Sequence, residues 1–201
     1  MQSINVKLYE YSELKKEAQA VVINAHIESE WYDYSDHETS EYNKSLDEFN
    51  KSFNPFLHLS GATKDEAKNI IIKCLNNACK DQAKGNEYFE ESFQNKYNGV
   101  IDTIDKALLA IGNCTLTGCC TDFYVLDTIS EFLKGEKYQN LSFGELITLA
   151  KQNGRQELNK QKRYFKTKKH VHSSLEEMCE KIYLENGEEA PSAITKLLTA
   201  A

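Results

Sequence analysis

Hydrophobic and polar positions along this chain follow two different periods. Ile4, Val6 and Leu8 fall on one side of an extended segment and Asn5, Lys7 and Tyr9 on the other, which predicts a short strand over Ile4–Tyr11. From Ser12 onward the spacing turns helical, with Ser12 as cap and Leu14, Ala18, Val21, Val22 and Ala25 on one face. An acidic segment follows. Tyr42, Leu46, Phe49 and Phe53 then step by four, three and four, predicting an amphipathic helix that Asn54-Pro55 ends. Phe56–Ser60 reads as a second short strand.

Thr63-Lys-Asp-Glu66 has the spacing of a capping box, and Ala67, Ile70, Ile71, Cys74, Leu75 and Ala78 form the apolar stripe behind it. Gly85-Asn86 breaks that helix. Phe89, Phe93, Tyr97, Val100, Ile101, Ile104, Leu108 and Ile111 predict one long helix, ended by Gly112-Asn113. Gly118 separates a cysteine-bearing loop from a helix carrying Phe123, Leu126, Ile129 and Leu133. Ser142-Phe-Gly-Glu145 is a further capping box, opening a helix with Leu146, Ile147 and Ala150 on its face that can run past Gly154 into a basic stretch. Ser174-Leu-Glu-Glu177 is expected to open the next helix, with Leu175, Met178, Cys179 and Ile182. Beyond Asn186-Gly187, Pro191 starts a terminal helix through Leu198.

These seven or eight helices and few strands predict a mainly α fold over residues 1–201, a single compact helical domain. The alternative is α+β with a small two- or three-stranded sheet near the N-terminus, subdivided into an α+β part over 1–60 and a helical bundle over 61–201. No internal repeat is visible. Two prolines, and no segment rich in proline, glycine or serine, argue against loosely tethered modules. The first residues lack the apolar core of a signal peptide and no apolar run is long enough to span a bilayer, so a cytoplasmic protein without a membrane partner is expected. Six cysteines in 201 residues are too few for a small secreted disulfide scaffold and read as reduced thiols.

Charge changes the picture most. Between Glu28 and Glu48 eight acidic residues face one lysine, a net of −7; between Lys151 and His172 eight basic residues face Glu157 alone, a net of +7. Blocks of equal and opposite charge pair within the molecule, meet between two copies as a homodimer, or steer different partners.

Two segments combine charge with aromatic rings. Glu28, Glu30, Trp31, Tyr32, Asp33, Tyr34, Asp36, Glu38 and Glu41 make an acidic-aromatic surface. Spaced carboxylates can occupy a cationic groove, and Trp and Tyr anchor protein interfaces. The plainer reading is that Trp31 and one tyrosine turn inward while the acids stay solvated. Lys160, Lys162, Arg163, Tyr164, Lys166, Lys168 and Lys169 mix cations with a ring, as do groups that track a phosphate backbone and stack on bases. That segment also reads as a solvated helix face, since nucleic-acid binders usually carry a basic domain charge.

Catalytic chemistry finds little support. Cys114, Cys119 and Cys120, with Cys74 and Cys79, lack the paired spacings of a zinc site, and Cys74 and Cys179 lie on apolar stripes where cysteine is a small hydrophobe. His170 and His172 are expected on one side of a strand or loop within a basic surface. Phosphate-cradling and nucleophile-elbow glycine motifs are absent from the sequence. No catalytic residue, metal or cofactor is predicted; a thiol or metal enzyme using Cys119 or Cys120 ranks last.

Leu8-Tyr9-Glu10-Tyr11-Ser12-Glu13-Leu14-Lys15-Lys16-Glu17-Ala18 resembles the opening of a family of small phage and prophage proteins, a short strand and tyrosine followed by an "ELSEEAK" helix. Glu30-Trp31-Tyr32-Asp33 is similar to that family's acidic segment with paired aromatics. Thr117-Gly118-Cys119-Cys120-Thr121-Asp122 resembles its "TG-x-C-x-D" turn, and Ser173–Asn186 its late "SS-x-E" helix. Lys15 replaces the usual serine, and the segment before the long helix departs from the pattern. The family is largely uncharacterised, with some members labelled antitoxin-like. The resemblance implies a mobile-element accessory protein in a bacterial cytoplasm, not a reaction. Two expectations follow. The first is a binding protein that inhibits a host nucleic-acid-processing defence system, of anti-CRISPR or antirestriction type, whose acidic-aromatic segment meets a host protein or ribonucleoprotein complex. The alternative is a nucleic-acid-binding accessory or antitoxin-like factor working through the basic 151–172 segment.

Overall fold

The computed structural model of the chain describes residues 7–177 and 182–191, with side chains throughout except at 29–34 and 169. Among the described residues are seven α-helices and a two-stranded antiparallel sheet, the mainly α class with a small sheet. Contacts divide the chain into two compact units, His37–Lys160 and Met1–Asp36 with Gln161–Ala201. The divisions fall inside helices. No described helix is long and apolar enough to cross a membrane.

Helix α1 runs unbroken from Lys16 to Phe53, so the whole acidic segment is helical and not only its second half. Its 38 residues contain neither glycine nor proline, and local pairs such as Lys44–Glu41 and Lys51–Glu48 compensate part of the like-charge repulsion. Ser12 is not its cap. Ser12 lies in a 3-10 turn, Tyr11–Glu13, closed by the Glu10 N–H donating to the Glu13 carboxylate at 2.9 Å.

In the 37–160 unit, the second half of α1 delivers Tyr42, Phe49 and Phe53 to the core, with the two phenyl rings stacked at 4.3 Å. Asn54–Leu59 is a 3-10 turn with Pro55 in its first turn, replacing the expected strand at Phe56–Ser60. Helix α2 (Lys64–Ala83) buries every residue of its predicted stripe and packs on α3 (Glu87–Tyr97) and α4 (Ile104–Gly112). Thr63 is its cap by position, but its side chain makes no capping hydrogen bond.

The single helix expected from Phe89 to Ile111 is in fact α3 and α4. Asn98 turns left-handed at φ 54° and Gly99 follows at φ 70°, and their N–H groups close the end of α3 onto Gln94 and Phe93. Thr103 then accepts from the Lys106 N–H to start α4. Helix α5 (Asp122–Lys134) packs on α4 and presents Val125, Leu126, Ile129 and Phe132 to the core. Helix α6 (Phe143–Phe165) opens with one half of the expected box, Ser142 donating through both N–H and hydroxyl to Glu145, and does continue past Gly154. Gly154 lets it lie against α5: a Cβ there would stand 2.7 Å from the Tyr124 carbonyl oxygen.

In the other unit, β1 (Tyr9–Glu10) pairs with β2 (Ile182–Tyr183), Tyr9 opposite Tyr183. Strand β1 is shorter than predicted, and Ile4–Val6 lie outside the described residues. Ile182, expected on a helix, is in β2 instead, held by the Ala190 N–H at 2.8 Å and by a turn in which Gly187 takes φ 89°. Tyr11, Leu14, Ala18, Val22 and Ile23 bury against Val171 and Leu175 of α7 (Lys168–Glu177) and against Tyr183. Val21 and Ala25, expected on that face, are exposed. Helix α7 begins six residues ahead of Ser174, because Thr167 caps it by accepting from the His170 N–H. Met178, Cys179 and the predicted helix after Pro191 lie outside the described residues.

Candidate functional site

The acidic-aromatic set divides along α1. Glu28 and Asp36 are exposed, while the side chains of Glu30, Trp31, Tyr32, Asp33 and Tyr34 lie outside the described residues. Glu38 and Glu41 are half-buried and engaged within their own unit. The Tyr124 hydroxyl donates to Glu38 at 3.5 Å. The Cys119 thiol and the Lys44 ammonium both donate to Glu41. Those two hydrogen bonds, that from Cys119 foremost, hold the Glu41 carboxyl below the usual carboxylate range, and the bond to Glu41 in turn raises the Cys119 thiol. Burial, then Glu38 and Glu157, push Tyr124 up to about 12. Arg155 also acts on the buried Tyr42, whose ring lies 6.3 Å from that of Tyr124. Here residues of the acidic and basic blocks share one neighbourhood inside the 37–160 unit.

Beneath Glu41 lies a polar centre that the sequence did not signal as one. Asp122 is fully buried. Its Oδ1 accepts from the hydroxyls of Ser45 at 2.6 Å and Thr117 at 2.7 Å; its Oδ2 accepts from the N–H groups of Leu116 at 2.9 Å and Thr117 at 2.8 Å. Ser45, also fully buried, shares a further hydrogen bond with the Thr121 hydroxyl. Four donors satisfy one buried carboxyl group, so this arrangement fixes the 115–122 loop to α1. The sequence marked Thr117–Asp122 only as a turn, with Thr115, Thr117 and Thr121 close to Asp122.

The basic-aromatic set gathers at the corner between α6 and α7. The Thr167 N–H closes the end of α6 onto the Tyr164 carbonyl at 2.9 Å, and the Thr167 hydroxyl caps α7. This tight reversal brings His170 back over the preceding rings, 5.0 Å from Tyr164 and 4.8 Å from Phe165 between centroids; Tyr164 and Phe165 stand 5.6 Å apart. Tyr164 remains 55% exposed, so one ring of the trio faces solvent. Arg163, Lys166 and Lys168 flank it, all exposed, and Lys162 is half-buried. The first turn of α7 contains lysine and no acid, opposite to what stabilises a helix N-terminus, at a cost of about 0.3–1 kcal/mol per charge.

Lys160 differs from its neighbours: it belongs to the 37–160 unit and pairs with Glu157 at 3.2 Å. The Lys169 side chain lies outside the described residues. Phe165 and His170 complete the aromatic trio; in sequence His170 read only as part of a basic surface. His170 and His172 do not share a side. On a helix, residues two apart point about 200° apart; His172 instead packs edge-on to Tyr11 at 5.5 Å, with Nδ1 3.6 Å from Glu176.

Among the described residues no group of three or more potential metal ligands occurs. Burial pushes Cys74 up to about 12 and Cys114 to about 11, and also raises Cys79, whose thiol meets the Thr115 hydroxyl. Raised thiols disfavour the thiolate that nucleophilic catalysis needs. No family model, curated protein or solved structure matches the chain.

Proposed function

We propose that the chain is a non-catalytic nucleic-acid-binding accessory or antitoxin-like factor that contacts single-stranded nucleic acid at the α6–α7 corner. The observation that carries this reading is the exposed Tyr164 ring, braced by Phe165 and His170 and flanked by exposed Arg163, Lys166 and Lys168. The cations neutralise phosphates, and the pre-set ring offers a stacking face that any base can use, worth about 1–3 kcal/mol per base. The placement of cations at the start of α7 supports it too, since that arrangement gives up helix stability while concentrating positive field. Titration of a fluorescent single-stranded oligonucleotide with the full chain tests this: binding at low salt should weaken roughly tenfold or more with Tyr164→Ala. Retention of full affinity by that variant would refute the stacking role.

A second reading keeps the mobile-element resemblance and the acidic segment: an inhibitor of a host nucleic-acid-processing defence system, of anti-CRISPR or antirestriction type, docking through α1. Its support is that Glu28 and Asp36 are exposed on an unbroken helix, which presents charges at fixed intervals. Affinity capture from a bacterial lysate, repeated with Glu28, Glu30, Asp33 and Asp36 reversed to lysine, discriminates. The reading requires one captured partner to be lost on charge reversal, and unchanged capture contradicts it.

A further inference from the structure

A cavity of about 290 Å³ opens between α2, α3 and the 113–118 segment, within the 37–160 unit. Cys79 and Thr115 close its floor, joined thiol to hydroxyl, and both are buried. Gln82 fixes one wall: its amide, oriented to satisfy both groups, donates to the Thr115 carbonyl at 3.2 Å and accepts from the Gly118 N–H at 3.1 Å. Gly118 keeps the space open, since at φ 80° a Cβ would be strained and would stand 3.4 Å from the Phe89 ring. Helix α3 supplies the other wall as two ring pairs, Tyr88 with Phe89 at 5.6 Å and Phe93 with Tyr97 at 5.8 Å. Aromatic walls with a few convergent polar groups are the usual make-up of a small-molecule site, and this volume falls at the lower end of the range for such sites.

Lys96 is the one charged residue that lines the cavity. Among the described residues its ammonium has a single partner, the Asn113 amide oxygen at 2.8 Å, and no carboxylate. Asn113 is itself pinned, its amide nitrogen donating to the Leu109 carbonyl at 2.6 Å and to the Tyr97 hydroxyl at 3.4 Å. That leaves its oxygen for Lys96 and holds the cation at the cavity, with two of the three ammonium donors unused. The Tyr97 side chain is buried, yet its hydroxyl only accepts: no described group takes its proton. Burial raises that hydroxyl above its ordinary value, so it remains a donor near neutrality. Ser92, one turn before Lys96 on α3, adds a second hydroxyl that has no hydrogen-bond partner among the described residues.

We propose that this cavity binds a small aromatic carboxylate, its ring against the α3 aromatics and its carboxylate on Lys96 and the Tyr97 hydroxyl. One cation with no acid beside it balances one negative charge. A phosphate monoester carries about −1.5 to −2 near neutrality and would leave part of its charge uncompensated. A cationic ligand would meet Lys96 as a like charge. A neutral aromatic would gain the ring contacts and leave the ammonium and the Tyr97 proton without an acceptor, which is the larger loss. The site uses none of the residues of the α6–α7 corner, so it stands or falls apart from nucleic-acid binding.

The test is an amide proton–nitrogen NMR titration of the full chain with benzoate, indole-3-acetate and naphthaleneacetate, each run beside its neutral carboxamide. Saturable shifts should centre on the amides of Ser92, Lys96 and Gly118 for at least one acid, which should bind roughly tenfold more tightly than its carboxamide. Lys96→Met, a change at an exposed position, should retain the folded spectrum and abolish the preference for acid over carboxamide. Tyr97→Phe should weaken the acid more than the carboxamide. An unchanged preference in Lys96→Met, equal binding of acid and carboxamide by the native chain, saturable shifts centred elsewhere, or no binding of any acid up to its solubility limit would each overturn the proposal.

Discussion

Ser45 on α1 donates a 2.6 Å hydrogen bond to Oδ1 of Asp122, and both side chains are fully buried. The pair joins residues 77 positions apart and ties the 115–122 loop to α1. Asp122→Ala would leave the N–H groups of Leu116 and Thr117 and the Ser45 hydroxyl without their acceptor. A loss of about 3–5 kcal/mol is expected, more than from Ser45→Ala, about 1.5–3 kcal/mol, which removes one donor and leaves the others in place. Urea unfolding followed by circular dichroism checks this; equal midpoints for the two variants would contradict it.

Gly154→Ala sets two opposed effects against each other. A helix-interior Gly→Ala change contributes about 1 kcal/mol through propensity. The new methyl, however, would meet the Tyr124 carbonyl oxygen at 2.7 Å and Val125 Cγ1 at 3.0 Å, and a backbone carbonyl cannot swing aside. Overpacking of this kind costs about 1–3 kcal/mol, so the clash wins and the melting temperature should fall by several degrees. An unchanged or raised melting temperature would show that α5 and α6 lie further apart than described.

Glu41 titrates below the usual carboxylate range because Cys119 and Lys44 donate to it. A depressed folded-state value stabilises the fold above the unfolded carboxylate value near about 4.3, and that stabilisation is lost as pH falls through the folded value. Cys119→Ala removes the first of the two causes. A carboxyl-carbon NMR titration should therefore show the Glu41 midpoint move upward in the variant. The converse change, Glu41→Ala, should speed alkylation of Cys119 by lowering its raised thiol. No movement in either would detach the two groups.

The stripes of α2, the later part of α1 and α6 were legible in sequence because their apolar residues repeat at helical spacing with no competing signal, and that of α5 was so except for the exposed Phe123; Ala67, Ile71, Phe49, Phe53 and Ile147 are buried as that spacing requires. The boundary between α3 and α4 was obscured, because Tyr97, Val100, Ile101 and Ile104 keep an apolar rhythm across a turn that Asn98-Gly99 alone announces. The early start of α7 was hidden by a stronger-looking cap at Ser174, while Thr167 does the capping. At the candidate site, composition exposed the cations and Tyr164. It could not show that a two-residue corner sets the His170 ring against Tyr164 and Phe165, nor that Glu41 faces Cys119, because both depend on where the chain turns.

The most direct measurement is the salt dependence of single-stranded DNA binding, by fluorescence anisotropy, for the native chain and for a variant with Arg163, Lys166 and Lys168 replaced by alanine. The logarithm of affinity should fall linearly with the logarithm of salt for the native chain. The variant should bind more weakly with a slope shallower by about 0.7 for each lost phosphate contact. Failure of the native chain to bind at low salt, or an identical slope in the variant, would contradict nucleic-acid binding at the α6–α7 corner.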